Sequence, residues 1–120
     1  MAKTSERKKL TKKLDKAWRN HVCERDNYTC QWCGVPVEGS NAHASHIIPR
    51  SNGNRLRWDK RNGLCMCFHC HINKWHKDPV TAGGWFDIKY PEIKSYLFEE
   101  KAKGTVKFSI SDLEELLFGF

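Results

Sequence analysis

Two Cys-x-x-Cys pairs, Cys30/Cys33 and Cys67/Cys70, constrain this chain more than anything else in it. Each pair presents two sulfurs from one tight turn, so a single tetrahedral ion can clamp two segments distant in sequence. The stretch between the pairs is longer than in an ordinary two-pair zinc ribbon, which implies a folded unit inside the clamp. The N-terminus has positive charge but no apolar run behind it, and this reads as neither export signal nor anchor. A reducing, cytoplasmic setting is therefore expected, where such pairs favour metal over disulfides. Structural Zn2+ is the expected occupant, with an iron–sulfur cluster the alternative for the same donors. Cys23 and Cys65 fall outside the paired spacing and read as small buried hydrophobes.

With 120 residues, the chain is expected to be one domain, 1–120. It divides into a basic helix (1–25), a clamped core (26–78) and a supporting segment (79–120). So short a chain buries a modest core, and a metal staple compensates. The net charge of +7 favours a polyanionic partner. No apolar run reaches membrane length, so nucleic acid is the expected partner and membrane is not.

Leu10, Leu14, Trp18 and Val22 recur at helical spacing among lysines, predicting a helix from Lys3 to Arg25 with its lysine face available to phosphates. Strands are predicted over 28–32, 42–48 and within 55–64, with a helix over 69–77 that Asp78-Pro79 ends. Thr81-Ala82-Gly83-Gly84 reads as a flexible connection, and Pro91 opens a helix that stops at Gly104. Val106 to Ile110 alternates like a strand, and Ser111 with Glu114 reads as a capping box for a final helix. Trp58, Trp75 and Trp85 read as core.

Three further residues fall between and just after the cysteines: His46 in Ser45-His46-Ile47-Ile48-Pro49, Asn62 before Gly63, and His71 directly after Cys70. Singly, each has an ordinary explanation as a polar or turn residue. Together they form a constellation suited to phosphodiester hydrolysis. A neutral imidazole can accept a proton near pH 7, and an amide can fix a loop.

These segments, with Asp26-Asn27-Tyr28-Thr29-Cys30-Gln31-Trp32-Cys33-Gly34 and Asn62-Gly63-Leu64-Cys65-Met66-Cys67-Phe68-His69-Cys70-His71, resemble an HNH endonuclease of the four-cysteine type over about half the chain. Arg55-Leu56-Arg57-Trp58-Asp59 is also similar to phage recombination nucleases of the NinG type. The resemblance implies an α+β fold with a ββα-metal core, flanked by N- and C-terminal helices. It implies metal-dependent hydrolysis of DNA, by nicking or double-strand cutting at low sequence specificity, with phage DNA processing as the setting. His46 would be the general base, Asn62 the loop-fixing amide and His71 a ligand to a catalytic Mg2+ or Mn2+. In many members the residue before the catalytic histidine is Asp or His and also binds the ion; here it is Ser45. His43, Ser45 and Asp59 are the candidates for a further ligand. His76, five residues beyond His71, is expected to be rotated off its helical face. Arg50, Arg55, Arg57, Lys60, Arg61, Lys74 and Lys77 form the expected phosphate-contacting set. The partners implied are DNA and a phage packaging or recombination protein, the protein itself being a monomer or dimer. The alternative function is a non-catalytic zinc-stabilised module that only binds nucleic acid.

Overall fold

The computed structural model describes residues 2–120, with side chains from Ser5 onward. Helix α1 (Ala2–Arg25) buries Leu14, Trp18 and Val22, the stripe its spacing predicts, against α4 and both strands of the hairpin. Each such side chain contributes about 1.5–3 kcal/mol by leaving water. The helix stops where Asn27 and Tyr28 take left-handed backbone, φ 54° and 48°. That conformation also interrupts the strand expected over 28–32; only one bridge remains, between Thr29 and Pro36.

β1 (His43–His46) and β2 (Gly63–Met66) pair antiparallel with His43 opposite Met66 and His46 opposite Gly63. Gly63 has a steric reason for having no side chain: a Cβ there would stand 2.5 Å from Trp18 and 2.9 Å from Val22. α1 therefore lies directly on the end of the hairpin that carries His46 and Gly63. Arg25 fastens it there, donating to the carbonyls of Lys60 (2.8 Å) and Gly63 (2.6 Å).

The link between the strands is built of turns. Arg57, Asp59 and Asn62 each donate a backbone N–H to the carbonyl three residues earlier, so 55–62 is not extended and β2 begins only at Gly63. Leu56 and Trp58 are buried from this turn run. A π-helix, His69–His76, begins within the second cysteine pair and carries Cys70 in its first turn.

α2 (Pro79–Lys89) runs straight through the glycines expected to be a flexible joint. Asp78 caps it by accepting from the N–H of Thr81 at 3.2 Å, and Ala82 and Phe86 bury its inner face. Capping and burial together outweigh about 1 kcal/mol lost at each glycine. α3 (Pro91–Ala102) packs on α2. The segment after Gly104 forms no strand, because the Asn54 side chain takes both backbone groups of Val106, at 2.6 and 2.9 Å. α4 (Ile110–Phe118) starts two residues earlier than the sequence pattern indicates: Ser109 and Asp112 close its capping box, at 3.0 and 2.9 Å. The shorter Asp serves where Glu114 was expected.

Two buried clusters result. One holds Cys23, Cys30, Cys65, Cys67 and Cys70 with other hairpin residues, Phe86 and Leu97. The other joins Leu14, Trp18 and Val22 of α1 to Trp58 and Leu113. The architecture is α+β, a two-stranded hairpin with the four-cysteine cluster beside it and helices on both flanks. Among the described residues no helix is long and apolar enough to cross a membrane.

Candidate active site and metal centre

The sulfurs of Cys30, Cys33, Cys67 and Cys70 all lie within 4.8 Å of one another. Sulfurs bound at 2.3 Å around one tetrahedral ion stand about 3.8 Å apart, and Cys33 Sγ and Cys67 Sγ are 3.8 Å apart. In each knuckle the second cysteine's N–H points at the first one's sulfur, Cys33 to Cys30 at 3.5 Å and Cys70 to Cys67 at 3.4 Å. Burial raises the Cys30 thiol, but N–H donors from Cys33, Cys67 and Trp32 outweigh it and bring the group down to about 7. Burial and neighbouring thiols push Cys67 and Cys70 up. Four crowded thiols of which one is readily ionised make a donor set that a soft-tolerant divalent ion such as Zn2+ satisfies. Cys23 and Cys65 are buried beside one another, outside this set.

A separate cleft of about 730 Å³ opens between β1, the π-helix and α2, and His46, His71, His76, Arg50 and Trp75 all line it. His46 stands at the end of β1, its imidazole stacked on Trp18 at 3.9 Å and 9°. Its Nε2 lies 2.9 Å from the carbonyl oxygen of Arg57. A carbonyl only accepts, so Nε2 carries the hydrogen and Nδ1 keeps a lone pair. Burial, with the charges of Arg50 and Arg57, holds its pKa below the ordinary 6.5, so the ring is neutral at pH 7.

Asp15 of α1 braces this arrangement. It accepts from Arg57 at 3.1 and 2.8 Å and from Trp58 Nε1 at 2.8 Å, and it sits 3.8 Å from Arg50. Asn62 is fully buried; its amide donates to the carbonyls of Ile48 (3.0 Å) and Leu56 (2.9 Å) and accepts from the Ile48 N–H (2.7 Å). These bonds tie the segment leaving His46 to the turn run that supplies the Arg57 carbonyl. Trp75 Nε1 donates to the His46 carbonyl at 3.2 Å and locks the π-helix to β1.

His71 is flanked on both ring edges: Nδ1 is 2.8 Å from His43 Nδ1, and Nε2 is 2.9 Å from His76 Nε2. Burial and the three neighbouring imidazoles push its pKa down to about 4. The expectation that His76 points away from His71 is overturned. Residues five apart are about 140° apart on an α-helix, but this segment is a π-helix, whose wider, i→i+5 hydrogen-bonded turn brings them towards one face.

Two further candidates are not brought to the cleft. Ser45 is buried across from Leu64, its hydroxyl without a partner, and it does not line the cavity. Asp59 lines another cleft, its carboxylate accepting from the Tyr96 hydroxyl and, at 2.8 Å, from the Arg61 N–H. The basic set is likewise divided. Arg50 faces the histidines, and Lys77 is exposed at the end of the π-helix. Arg55 donates to the carbonyls of Gly104 (2.8 Å) and Lys103 (3.4 Å), and Arg57 is held by Asp15, so both are braces. Lys60 donates to the Gly119 carbonyl (2.8 Å), while Arg61 lies over Tyr96 and Lys74 over Trp32.

The fold and site define the class: a thiolate-clamped hairpin and helix presenting histidines in an open cleft. Residues 30–77 match the family model described as HNH endonuclease. It is also similar to the CRISPR-associated endonuclease Cas9 of Corynebacterium diphtheriae, 33% identical over 73 residues. That similarity covers 55% of this chain and 7% of the relative's length. No solved structure matches.

Proposed function

We propose that this protein is a metal-dependent endonuclease that hydrolyses DNA phosphodiester bonds. The observation that supports it best is His46, held neutral as its Nε2–H tautomer in the same cleft as His71. With Nε2–H committed to the Arg57 carbonyl, Nδ1 is the atom that takes a proton from the attacking water. In-line attack by that water breaks the bond to the 3′ oxygen and leaves 5′-phosphate and 3′-hydroxyl ends. A divalent ion on the cleft's imidazoles would supply Lewis-acid charge for the scissile phosphate and the departing oxygen. Asn62 fixes the loop that aims His46, and Arg50 offers a guanidinium to the phosphate. Cys30, Cys33, Cys67 and Cys70 would hold Zn2+, which would staple the fold that carries this reaction. Contacts limited to phosphates give salt-sensitive, weakly sequence-selective binding. Phage DNA processing beside a packaging or recombination protein is the setting that the NinG-like stretch 55–59 supports.

Incubating the protein with supercoiled plasmid across Mg2+, Mn2+, Co2+, Ni2+ and Zn2+, with EDTA as control, tests the proposal. Nicked or linear product that depends on the ion supports it. The second reading, a module that only binds nucleic acid, is favoured by one fact: among the described residues no carboxylate lines the cleft. Retained DNA binding without cutting under any ion would decide for that reading.

A further inference from the structure

We infer that His71 and His76 form a two-imidazole binding site for a first-row transition ion, with His43 as the residue that orients His71, and that this site discriminates against Mg2+. The inference rests on the nuclease reading only in naming the ion's purpose; the site itself follows from the proton arithmetic of three rings.

His43 Nε2 is 2.9 Å from the Ser40 carbonyl, an acceptor only, so that nitrogen carries the hydrogen. In the neutral ring, His43 Nδ1 then has the lone pair, and the 2.8 Å contact requires His71 Nδ1 to donate. His71 Nε2 is thereby left as a lone pair directed at His76 Nε2, 2.9 Å away. A proton on His76 Nε2 can satisfy that contact. Moving this proton to His76 Nδ1 leaves two lone pairs converging without any net change of charge. Nitrogens about 2.0–2.1 Å from a shared ion stand about 2.9 Å apart when they meet at a right angle, so little movement is needed. The outer chain from His71 through His43 to the Ser40 carbonyl is the kind of second layer that fixes a ligand's tautomer and raises its basicity.

The π-helix makes the pair. Its wider turn, with i→i+5 hydrogen bonds, brings residues 71 and 76 towards one side, and both rings line the cleft that holds His46. The donor chemistry sets the ion class. Among the described residues no Asp or Glu lines this cleft, Ser45 is buried away from it, and Asp59 is engaged elsewhere. Imidazole nitrogens suit Ni2+, Co2+ and Zn2+, whereas Mg2+ requires oxygen donors and sheds its water reluctantly.

The test is calorimetric titration of protein carrying one Zn2+ per chain, on its cysteines, with Ni2+ and with Mg2+, paired with Co2+ absorption spectra. The expected result is one Ni2+ bound per chain, at least about 100-fold tighter than Mg2+. His76→Ala and His71→Ala should each weaken Ni2+ by at least tenfold, and His43→Ala by about tenfold through the outer layer. Because His76 is exposed, His76→Ala keeps its fold, which circular dichroism verifies. His46→Ala should bind Ni2+ as the unaltered protein does. Ni2+ affinity unchanged in His76→Ala, or Mg2+ bound as tightly as Ni2+, would overturn the inference. A protein that binds Ni2+ through His76 and never cuts DNA supports this site while refuting the nuclease reading.

Discussion

The cysteine cluster and the histidine cleft both gather metal-directed side chains, and they are built in opposite ways. Each half of the cysteine cluster is local: two short knuckles, each with its own N–H···S bond, present like donors that meet at one point across 34 residues of chain. The cleft is assembled from afar. His46 comes from a strand, its stacking partner Trp18 from α1, its carbonyl acceptor from the Arg57 turn, and His71 and His76 from a π-helix. A site made by turn geometry survives any surroundings that let the turns form. A site made by packing lasts only as long as the packing does. The cluster should therefore govern stability and the cleft should govern chemistry.

The largest effect should come from breaking the cluster. Chelating the cysteine-bound ion, or replacing Cys70 with Ser, should remove most of the folding free energy, since structural zinc supplies about 10–16 kcal/mol in small domains. Circular dichroism should show unfolding that Zn2+ reverses in the unaltered protein and not in Cys70→Ser. A chelated protein with an unchanged melting curve would break the comparison.

Asn62→Ala should cost about 2–4 kcal/mol, because it strips partners from the buried backbone of Ile48 and Leu56. Denaturant titration measures this, and cleavage should fall with it because the Arg57 turn loosens. Gly63→Ala should cost about 1–3 kcal/mol by forcing Trp18 off the hairpin, and it should disturb His46 while leaving the cysteine cluster intact. Co2+ thiolate absorption tracks the cluster, and plasmid cleavage tracks the cleft. Loss of both together would show the two regions to be one unit.

The smallest effect is a shift in pH dependence. Burial keeps His46 neutral below its ordinary 6.5, and His71 is pushed further down to about 4. Cleavage should therefore persist as pH falls through 6.5, with an acid limb lying below that value. Trp18→Leu uncovers one face of the ring, so the limb should move up towards 6.5. A limb unchanged by this substitution would mean that the stacked indole does not tune the ring.

The same contrast explains what was legible in the sequence. Cysteine spacing reports a turn, and a turn is local, so the cluster and the α1 stripe could be read from residue order. Asp15 and Trp18, by contrast, lie outside the matched segment and are bound to it by contacts across more than forty and nearly thirty residues. In sequence Trp18 shows only as a core residue, and Asp15 gives no signal at all. His76 was misplaced because a π-helix has no compositional mark; only the five-residue interval to His71 hinted at it. The Gly83-Gly84 pair misled because burial of Ala82 and Phe86 outweighs glycine's weak helix propensity. Val106 was misread as a strand residue because one asparagine, Asn54, takes both of its backbone groups.

The most direct measurement is single-turnover cleavage of a DNA duplex by the ion-loaded protein and by His46→Ala, with folding of both checked by circular dichroism. The expected result is a rate lower by about 10²–10⁴-fold in the variant, with the fold and the Ni2+ affinity unchanged. A folded, ion-loaded His46→Ala that cuts as fast as the unaltered protein would contradict the assignment of His46 as the proton acceptor.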